Sequence, residues 1–136
     1  MSKLEGTLID TDVLVIGGGA GGMVAALSAK HHGARGTKVA IADSWMTGRT
    51  GHTAFSNAWM IVALPDDDID AITREIVTGN DGIADQLLVR ESLLVSYDRL
   101  KEFEAAGMNF PRNPDGSYAR RPTRGLDVAR VMHPDG

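Results

Sequence analysis

A run of aliphatic residues that stops abruptly at a cluster of glycines constrains the fold of this chain more than any other feature. Residues 13–16 are continuously β-branched or aliphatic, which is typical of a central parallel strand buried on both faces. Residues 17–22 are glycine-rich, and residues 23–32 contain the alanine, leucine and lysine that favour a helix. A second apolar run at residues 39–43 indicates another strand. Strand, glycine turn, helix and strand predict a βαβ unit with a right-handed crossover.

The glycines of this turn have the spacing of a dinucleotide-binding fingerprint, G-x-G-x-x-G. Gly17 permits the tight turn, Gly19 lets the backbone approach a pyrophosphate, and Gly22 lets helix and strand pack closely. The pyrophosphate would then lie at the amino terminus of the helix. Asp43 ends the second strand about 20 residues after Gly22, where a carboxylate accepts hydrogen bonds from ribose hydroxyls and repels a 2′-phosphate. FAD and NAD both fit this pattern, and a purely structural glycine turn is the competing explanation.

The remainder of the chain predicts a loop followed by two helices. Residues 44–57 are polar and glycine-containing and are interpreted as a long functional loop. Three aspartates at 66–68 supply an acidic cap for a short helix near residues 69–78. Residues 83–106 predict a long amphipathic helix that ends at Gly107. Its expected apolar stripe comprises Ile83, Leu87, Leu94, Tyr97, Leu100 and Phe103.

A small hairpin is predicted after this helix. Residues 108–110 could form a short strand, and Asn-Pro-Asp-Gly at 113–116 is a strong tight-turn signal. Residues 118–120 would be the partner strand.

Composition narrows the functional classes. The length of 136 residues suits one ordinary domain and leaves no room for separate cofactor and substrate domains. The net charge of −4, without a cluster of Lys and Arg, argues against nucleic acid as a partner. The sequence has no cysteine, no spacing of His, Asp and Glu typical of a metal site, no secretory signal and no apolar run long enough to span a membrane. We therefore expect a cytoplasmic protein without a metal site.

Two segments of the chain resemble one superfamily: residues 12–22, and Gly-Arg-Thr-Gly-His-Thr at 48–53. It comprises the flavoprotein subunits of succinate dehydrogenase, fumarate reductase, L-aspartate oxidase and adenylylsulfate reductase (alpha subunit). Its members carry an Arg-Ser or Arg-Ser-Gly element whose backbone and hydroxyl contact FAD, and Arg49, Thr50 and Gly51 match it with Thr for Ser. The resemblance implies FAD, rather than NAD, and electron transfer through the flavin. The implied cofactor-binding residues are Gly17, Gly18, Gly19, Ala20, Gly21, Gly22, Asp43, Ser44, Gly48, Arg49, Thr50, Gly51, His52, Thr53, Ser56 and Asn57.

Two local departures from the family pattern concern the flavin ring. Some members bond the flavin covalently to the His of Arg-Ser-His-Thr, whereas His52 lies one residue further from Arg49. The extra residue favours a histidine without a covalent bond, although both alternatives stay open. The family's Gln-Gly or Gly-Gly pair is replaced by Ala-Phe-Ser-Asn at 54–57, so we expect a different backbone approach to the isoalloxazine. In layout, the lengthened first helix and connection at 31–38 and the hairpin at 114–120 are similar to the adenylylsulfate reductase alpha subunit.

The predicted fold class is α/β: a Rossmann-like βαβ FAD-binding unit with a parallel sheet, followed by a long helix and a small hairpin. We expect the amino-terminal part of an incomplete FAD domain, with the cradle at 11–43, the flavin loop at 44–60 and a helical and hairpin region at 66–136. In the family, the later chain supplies the catalytic residues, so none is assigned here. A βαβ unit with one further long helix leaves the parallel sheet short of strands, so we expect its apolar face to be buried in an oligomer or against a partner polypeptide. That partner would be the other half of the flavoprotein or an iron–sulfur electron-transfer subunit. The alternative is a stable monomer in which residues 83–121 fold back and cover the sheet. For the function, the alternative is a non-catalytic split subunit or fragment that binds FAD, ADP or a partner.

Overall fold

The computed structural model describes residues 6–56, 59–123 and 125–134. It divides the chain into two compact units, Met1–Ser56 (unit 1) and Asn57–Gly136 (unit 2). The boundary falls inside the predicted flavin loop at 44–60, whereas the predicted cradle lies wholly in unit 1. No helix in the described ranges is long and apolar enough to cross a membrane.

Unit 1 contains the predicted βαβ arrangement. Strand β1 (Val13–Ile16), helix α1 (Ala20–His32) and strand β2 (Val39–Ala42) follow one another along the chain. The two strands pair in parallel, with Val13 opposite Val39 and Ile16 opposite Ala42. The α/β fold class with a parallel sheet is therefore confirmed. Helix α1 begins three residues earlier than the sequence predicts, so that Gly21 and Gly22 belong to its first turn.

The apolar strand β1 is not buried on both faces within this chain, contrary to the expectation from its sequence. The side chains of Leu14 and Ile16 are 57% and 84% exposed. On α1, Val24 and Leu27 are 53% and 70% exposed. A two-stranded parallel sheet with one helix cannot cover both of its faces, and parallel sheets in folded proteins have both faces covered. Unit 1 therefore presents apolar surface that a complete α/β domain would bury.

Unit 2 combines two helices with an antiparallel sheet. Helix α2 spans Ile69–Gly79, close to the predicted 69–78, and helix α3 spans Gln86–Ala105. Asp68 caps α2 as predicted, because its Oδ1 accepts a hydrogen bond of 2.9 Å from the backbone N–H of Ala71. The sheet has the order β3 (Met60–Ile61), β5 (Leu126–Met132) and β4 (Arg121–Thr123). The sequence did not predict this sheet.

Helix α3 begins later than expected and ends where expected. The predicted start at residue 83 is wrong, because Asp85 is the N-cap and its Oδ1 accepts a hydrogen bond of 3.0 Å from Leu88 N. At the other end Gly107 has a φ of 98°, and its N–H donates to Glu104 O at 2.9 Å. Met108 N donates to Phe103 O at 3.0 Å, which completes a Schellman motif around the left-handed glycine.

The buried face of α3 agrees with the predicted stripe in part. Leu100 is 1% exposed and Tyr97 packs against the same cluster, as predicted, whereas Leu93, which is outside the stripe, is also buried with 5% exposure. Ile83 precedes the helix and is 89% exposed, and Leu87 is 67% exposed. Apolar residues occur on more than one face of this helix, so packing against α2 and the sheet decides which face is buried. The two buried clusters of unit 2 comprise Val62, Leu100, Phe110, Tyr118 and Met132, and Ala63, Ile72, Leu93 and Ala129.

The predicted hairpin is reduced to a turn with a single bridge. Gly116 has a φ of 86°, and its N–H donates to Asn113 O at 2.9 Å, which confirms the turn. An antiparallel bridge between Arg112 and Tyr118 joins the two sides, with Asn113 N donating to Ser117 O at 2.8 Å and Ala119 N to Pro111 O at 2.9 Å. Residues 108–110 form no strand, and Phe110 packs into the core with 6% exposure.

Candidate nucleotide-binding site

The glycine turn after β1 needs small residues for two separate reasons. Gly17 has a φ of 103°, in the left-handed region, and its N–H donates to Ala42 O at 2.8 Å. Gly22 lies in the first turn of α1, where a Cβ would overlap the carbonyl oxygen of Gly17 and lie 3.5 Å from Val15 Cγ1. The turn and the close approach of helix and strand therefore depend on glycine at these two positions.

Gly18 is equally constrained, although the fingerprint spacing treats it as a variable position. Its N–H donates to Asp43 Oδ2 at 2.9 Å. A Cβ at Gly18 would overlap that carboxylate oxygen and lie 2.9 Å from both Cα and Oγ1 of Thr47. Gly18 therefore connects the turn after β1 to the residues after β2. The run of three glycines at 17–19 was the only sign of this in the sequence.

The start of α1 presents backbone donors. Gly19 is the N-cap, with a φ of −72°, and no side chain of the described residues caps the helix there. The first turn contains no acidic residue, and Lys30, His31 and His32 lie in the last turn. The first N–H groups of a helix lack intrahelical acceptors and carry the positive end of the helix dipole, so they favour an anion. A Cβ at Gly19 would make only ordinary contacts, 3.6 Å from Thr50 O and 3.8 Å from Gly51 Cα.

Asp43 directly follows β2 and faces the glycine turn. Its Oδ2 accepts hydrogen bonds from Gly18 N and from the hydroxyl of Thr50, and its Oδ1 accepts a long one of 3.4 Å from Trp45 N. The Thr50 hydroxyl is the main cause that lowers the pKa of Asp43; desolvation opposes it, and the backbone N–H groups of Gly18, Trp45 and Ser44 reinforce it. The carboxylate is thus held in the ionised form, the form that accepts hydrogen bonds from hydroxyl groups.

The loop after Asp43 is attached to the glycine turn. Gly48 N donates to Gly18 O at 2.8 Å, and a Cβ at Gly51 would lie 3.4 Å from Gly19 Cα. Gly48 and Gly51 have φ values of 80° and 76°, which favour glycine. The sequence-predicted residues that the structure brings together are therefore Gly17, Gly18, Gly19, Ala20, Gly21, Gly22, Asp43, Gly48, Thr50 and Gly51.

The other predicted cofactor residues lie further along the same loop or at its surface. A short 3₁₀ turn, His52–Phe55, contains His52 and Thr53, and Ser56 Oγ donates to Thr53 O at 3.1 Å. Arg49 is exposed, and Ser44 lies beside Asp43 in the chain. Asn57 lies outside the described residues. The binding roles of all these residues stay predictions.

The sequence model of one protein family, described as FAD binding domain, matches residues 12–136. The chain belongs to this FAD-binding domain family. Its cofactor is accordingly FAD, and the choice of FAD over NAD is confirmed.

The curated relatives are fumarate reductase subunits. A fumarate reductase (CoM/CoB) subunit of Methanothermobacter marburgensis is 30% identical over 131 residues, which cover 96% of this chain and 24% of that protein. The fumarate reductase flavoprotein subunit of Mycobacterium tuberculosis is 29% identical over 120 residues, or 88% of this chain and 20% of that one. The chain therefore spans about a quarter of the length of these relatives or less. The superfamily predicted from the glycine turn and the Arg49 element is confirmed.

Solved structures show the same fold. The quinol fumarate reductase of E. coli superposes with a TM-score of 0.77 at 24% identity, covering 90% of this chain and 21% of that one. The adenylylsulfate reductase of Archaeoglobus fulgidus gives a TM-score of 0.66 at 24% identity, covering 91% and 20%. Both likenesses show the fold, and the expected similarity of layout to the adenylylsulfate reductase alpha subunit stays a prediction.

Proposed function

We propose that this chain holds the ADP part of FAD within a larger flavin-dependent oxidoreductase of the fumarate reductase, succinate dehydrogenase and adenylylsulfate reductase type. The observation that carries the proposal is the arrangement in which Gly18 and Asp43 bring the uncapped start of α1 beside an ionised carboxylate. The N–H groups at the start of α1 would bind the pyrophosphate, and Asp43 would bind the ribose hydroxyls. When bound, FAD supplies the electron-transfer chemistry.

The residues of the loop after Asp43 would hold the remainder of the cofactor. Gly48 N donates to Gly18 O and Gly51 lies close to Gly19, so this loop lies beside the start of α1, where the ligand would bind. His52 would lie near the flavin without a covalent bond, since it is displaced by one residue from the family's linking position. A 2′-phosphate would meet the negative charge of Asp43 and be repelled, which disfavours NADP.

Substrate binding and catalysis would be completed by a second polypeptide or by further chain. Two observations support this part of the proposal. The chain spans only 24% of the fumarate reductase subunit of M. marburgensis, and unit 1 exposes the apolar side chains of Leu14, Ile16 and Leu27. Burial of this surface in an oligomer or a hetero-complex would complete the parallel sheet. Static light scattering at micromolar concentration tests it, and a compact, cooperatively melting monomer would refute the need for a partner.

A second candidate is a non-catalytic module that binds FAD or ADP for another subunit. Turnover separates the two candidates. We expect the pure chain to show none with fumarate, succinate or adenylylsulfate, because proton delivery and substrate clamping need further positioned groups. Addition of the completing polypeptide should restore turnover if the chain belongs to an enzyme. A complex that binds flavin but stays inactive with every acceptor would favour the module.

Gly19→Ala tests the cradle itself. The added methyl group makes only ordinary contacts at 3.6 and 3.8 Å, so the fold should persist. The methyl group would, however, stand where the backbone has to approach the pyrophosphate, and FAD affinity should fall about ten-fold or more. Gly6→Ala is the matched control, because nothing lies within 4 Å of a Cβ there and the residue lies outside the site. Fluorescence titration of flavin-free protein measures the affinity, and a folded Gly19→Ala variant with unchanged affinity would rule out this cradle.

A further inference from the structure

Thr50 contacts the Asp43 carboxylate in the structure, which gives it a role that its place in the Arg49 element does not suggest. Its hydroxyl donates to Asp43 Oδ2, the same oxygen that accepts the N–H of Gly18 at 2.9 Å. A carboxylate oxygen has two lone-pair directions, so these two donors occupy Oδ2. A threonine hydroxyl has a single proton, and in this structure Thr50 donates it to Asp43.

The other carboxylate oxygen, Oδ1, is bonded less firmly. It accepts a hydrogen bond of 3.4 Å from Trp45 N, which is longer than the usual 2.7–3.2 Å for N–H···O bonds. The backbone N–H of Ser44 adds a smaller interaction with the same carboxylate. Oδ1 can therefore accept the hydroxyls of a ribose while Oδ2 remains bonded to the protein.

The same contact also fastens the loop. Gly18 uses both of its backbone groups within the fold, because its N–H donates to Asp43 and its C=O accepts from Gly48 N at 2.8 Å. The Thr50 hydroxyl adds a second attachment two residues further along the same loop. Three hydrogen bonds and the chain from 48 to 50 thus form a closed ring beside the glycine turn. Its members are Gly18, Asp43, Gly48 and Thr50.

We propose that Thr50 is a positioning residue for the nucleotide rather than a flavin contact: its hydroxyl fixes the Asp43 carboxylate with Oδ1 directed to the ribose and keeps residues 48–51 on the glycine turn. By the same geometry Gly18 positions Asp43 and donates no hydrogen bond to the pyrophosphate. The inference rests on the proposed FAD site and deepens it. The lowered pKa of Asp43, with the Thr50 hydroxyl as its main cause, agrees with this geometry.

Thr50→Val and Thr50→Ser separate the hydroxyl from the shape of the side chain. Valine keeps the shape of threonine but cannot donate, so Asp43 loses one of its two donors on Oδ2 and the loop loses one attachment. Serine keeps the donor and loses only the methyl group. Thr7→Val is the matched control, because Thr7 is exposed and lies outside the site.

Two measurements on the full chain test the proposal. Carboxyl ¹³C shifts of flavin-free protein report the pKa of Asp43, which should rise towards its ordinary value in Thr50→Val and stay low in Thr50→Ser and Thr7→Val. Fluorescence titration with FAD should show affinity about ten-fold weaker or more in Thr50→Val, from the loss of one charge-assisted hydrogen bond. Affinity in Thr50→Ser should stay within about three-fold of the starting protein, since the donor is kept.

Three other results would overturn the proposal. Unchanged FAD affinity in Thr50→Val overturns the positioning role, whether or not the pKa of Asp43 moves. Equal losses of affinity in Thr50→Val and Thr50→Ser, with the Asp43 pKa still low in the serine variant, would assign Thr50 a direct contact with FAD and overturn the proposal. If the unsubstituted chain binds no FAD when assembled with its completing polypeptide, the proposed function fails together with this inference. That failure is recognised before any variant is compared.

Discussion

Replacement of Gly22 by alanine should damage unit 1 at the point where α1 packs on the glycine turn. A Cβ there would overlap the carbonyl oxygen of Gly17 and lie 2.9 Å from its carbonyl carbon. Both obstacles are backbone atoms, so the helix must move away from the turn. Overpacking of this kind costs about 1–3 kcal/mol, and the better helix propensity of alanine returns roughly 0.5–1 kcal/mol. We therefore expect a net loss of up to about 2.5 kcal/mol in the free energy of unfolding of unit 1.

Gly21→Ala provides the control for this experiment. It is the same substitution, one residue earlier in the same helical turn, and nothing lies within 4 Å of a Cβ at that position. Only the propensity gain applies, so the variant should be as stable as the starting protein or more stable by up to about 1 kcal/mol.

Amide hydrogen exchange in β1 and α1 measures these changes locally, without the contribution of unit 2. Gly21→Ala has the same propensity gain, so the two variants should differ by the overpacking cost of about 1–3 kcal/mol, which corresponds to exchange roughly 5 to 160 times faster in Gly22→Ala than in Gly21→Ala. Exchange in Gly22→Ala that is no faster than in Gly21→Ala would refute the reasoning from the Gly17 carbonyl.

Three further substitutions concern unit 2. Asp68→Ala removes the cap of α2 and should lower the free energy of unfolding, measured in urea, by about 1 kcal/mol, whereas Asp66→Ala should change it little. Equal effects of the two substitutions would contradict the capping assignment. Leu100→Ala should lower the free energy of unfolding by about 2–5 kcal/mol because Leu100 is 1% exposed, and Leu87→Ala on the same helix, at 67% exposure, should lower it far less. Equal losses would show that Leu87 is also buried, as the predicted stripe requires. Desolvation raises the pKa of Glu75, but the N–H groups of Ala129, Val128 and Asp127 together outweigh it and leave the pKa below the ordinary 4.5. Because the pKa of Glu75 is lower in the folded state, its ionisation stabilises the folded protein above pH 4.5, and this contribution is lost as pH falls through the folded-state pKa. The urea concentration at the unfolding midpoint should therefore fall on acidification, and fall less in Glu75→Gln. An equally steep fall in that variant would exclude Glu75 as the cause.

Features that depend on neighbouring residues could be predicted from the sequence. The parallel βαβ unit follows from the alternation of apolar runs with a glycine turn and an alanine-rich helix. Asp68 as a cap and Gly107 as a left-handed terminus follow from the backbone groups that each helix end leaves unpaired. In the site, the fingerprint spacing located the turn and the acid at the end of β2. These features need no knowledge of distant contacts.

Features that depend on distant contacts could not be predicted. Strand β3 has only two residues and pairs Met60 with Met132, so no local alternation could indicate it. Strand β4 contains Pro122, which argues against a strand except at a sheet edge, where β4 lies. Leu93 rather than its neighbour Leu94 is buried on α3, and this depends on the packing of the helix in the core of unit 2. In the site, the link from Thr50 to Asp43 joins residues whose separation in the sequence gives no hint of a shared hydrogen bond.

The division of the chain separates the binding site from the larger core. Every described residue of the proposed cradle lies in unit 1, and the buried clusters around Leu100 and Leu93 lie in unit 2. The contacts of the proposed site join residues within about 35 positions of one another, from Gly17 to Gly51. The site can therefore form once β1 and β2 pair. Leu100→Ala should therefore weaken unit 2 while a protein that remains folded keeps its affinity for FAD. Loss of flavin binding in step with the loss of unit 2 stability would instead show that the cradle depends on unit 2, and the site would then have to be described as a property of the whole chain.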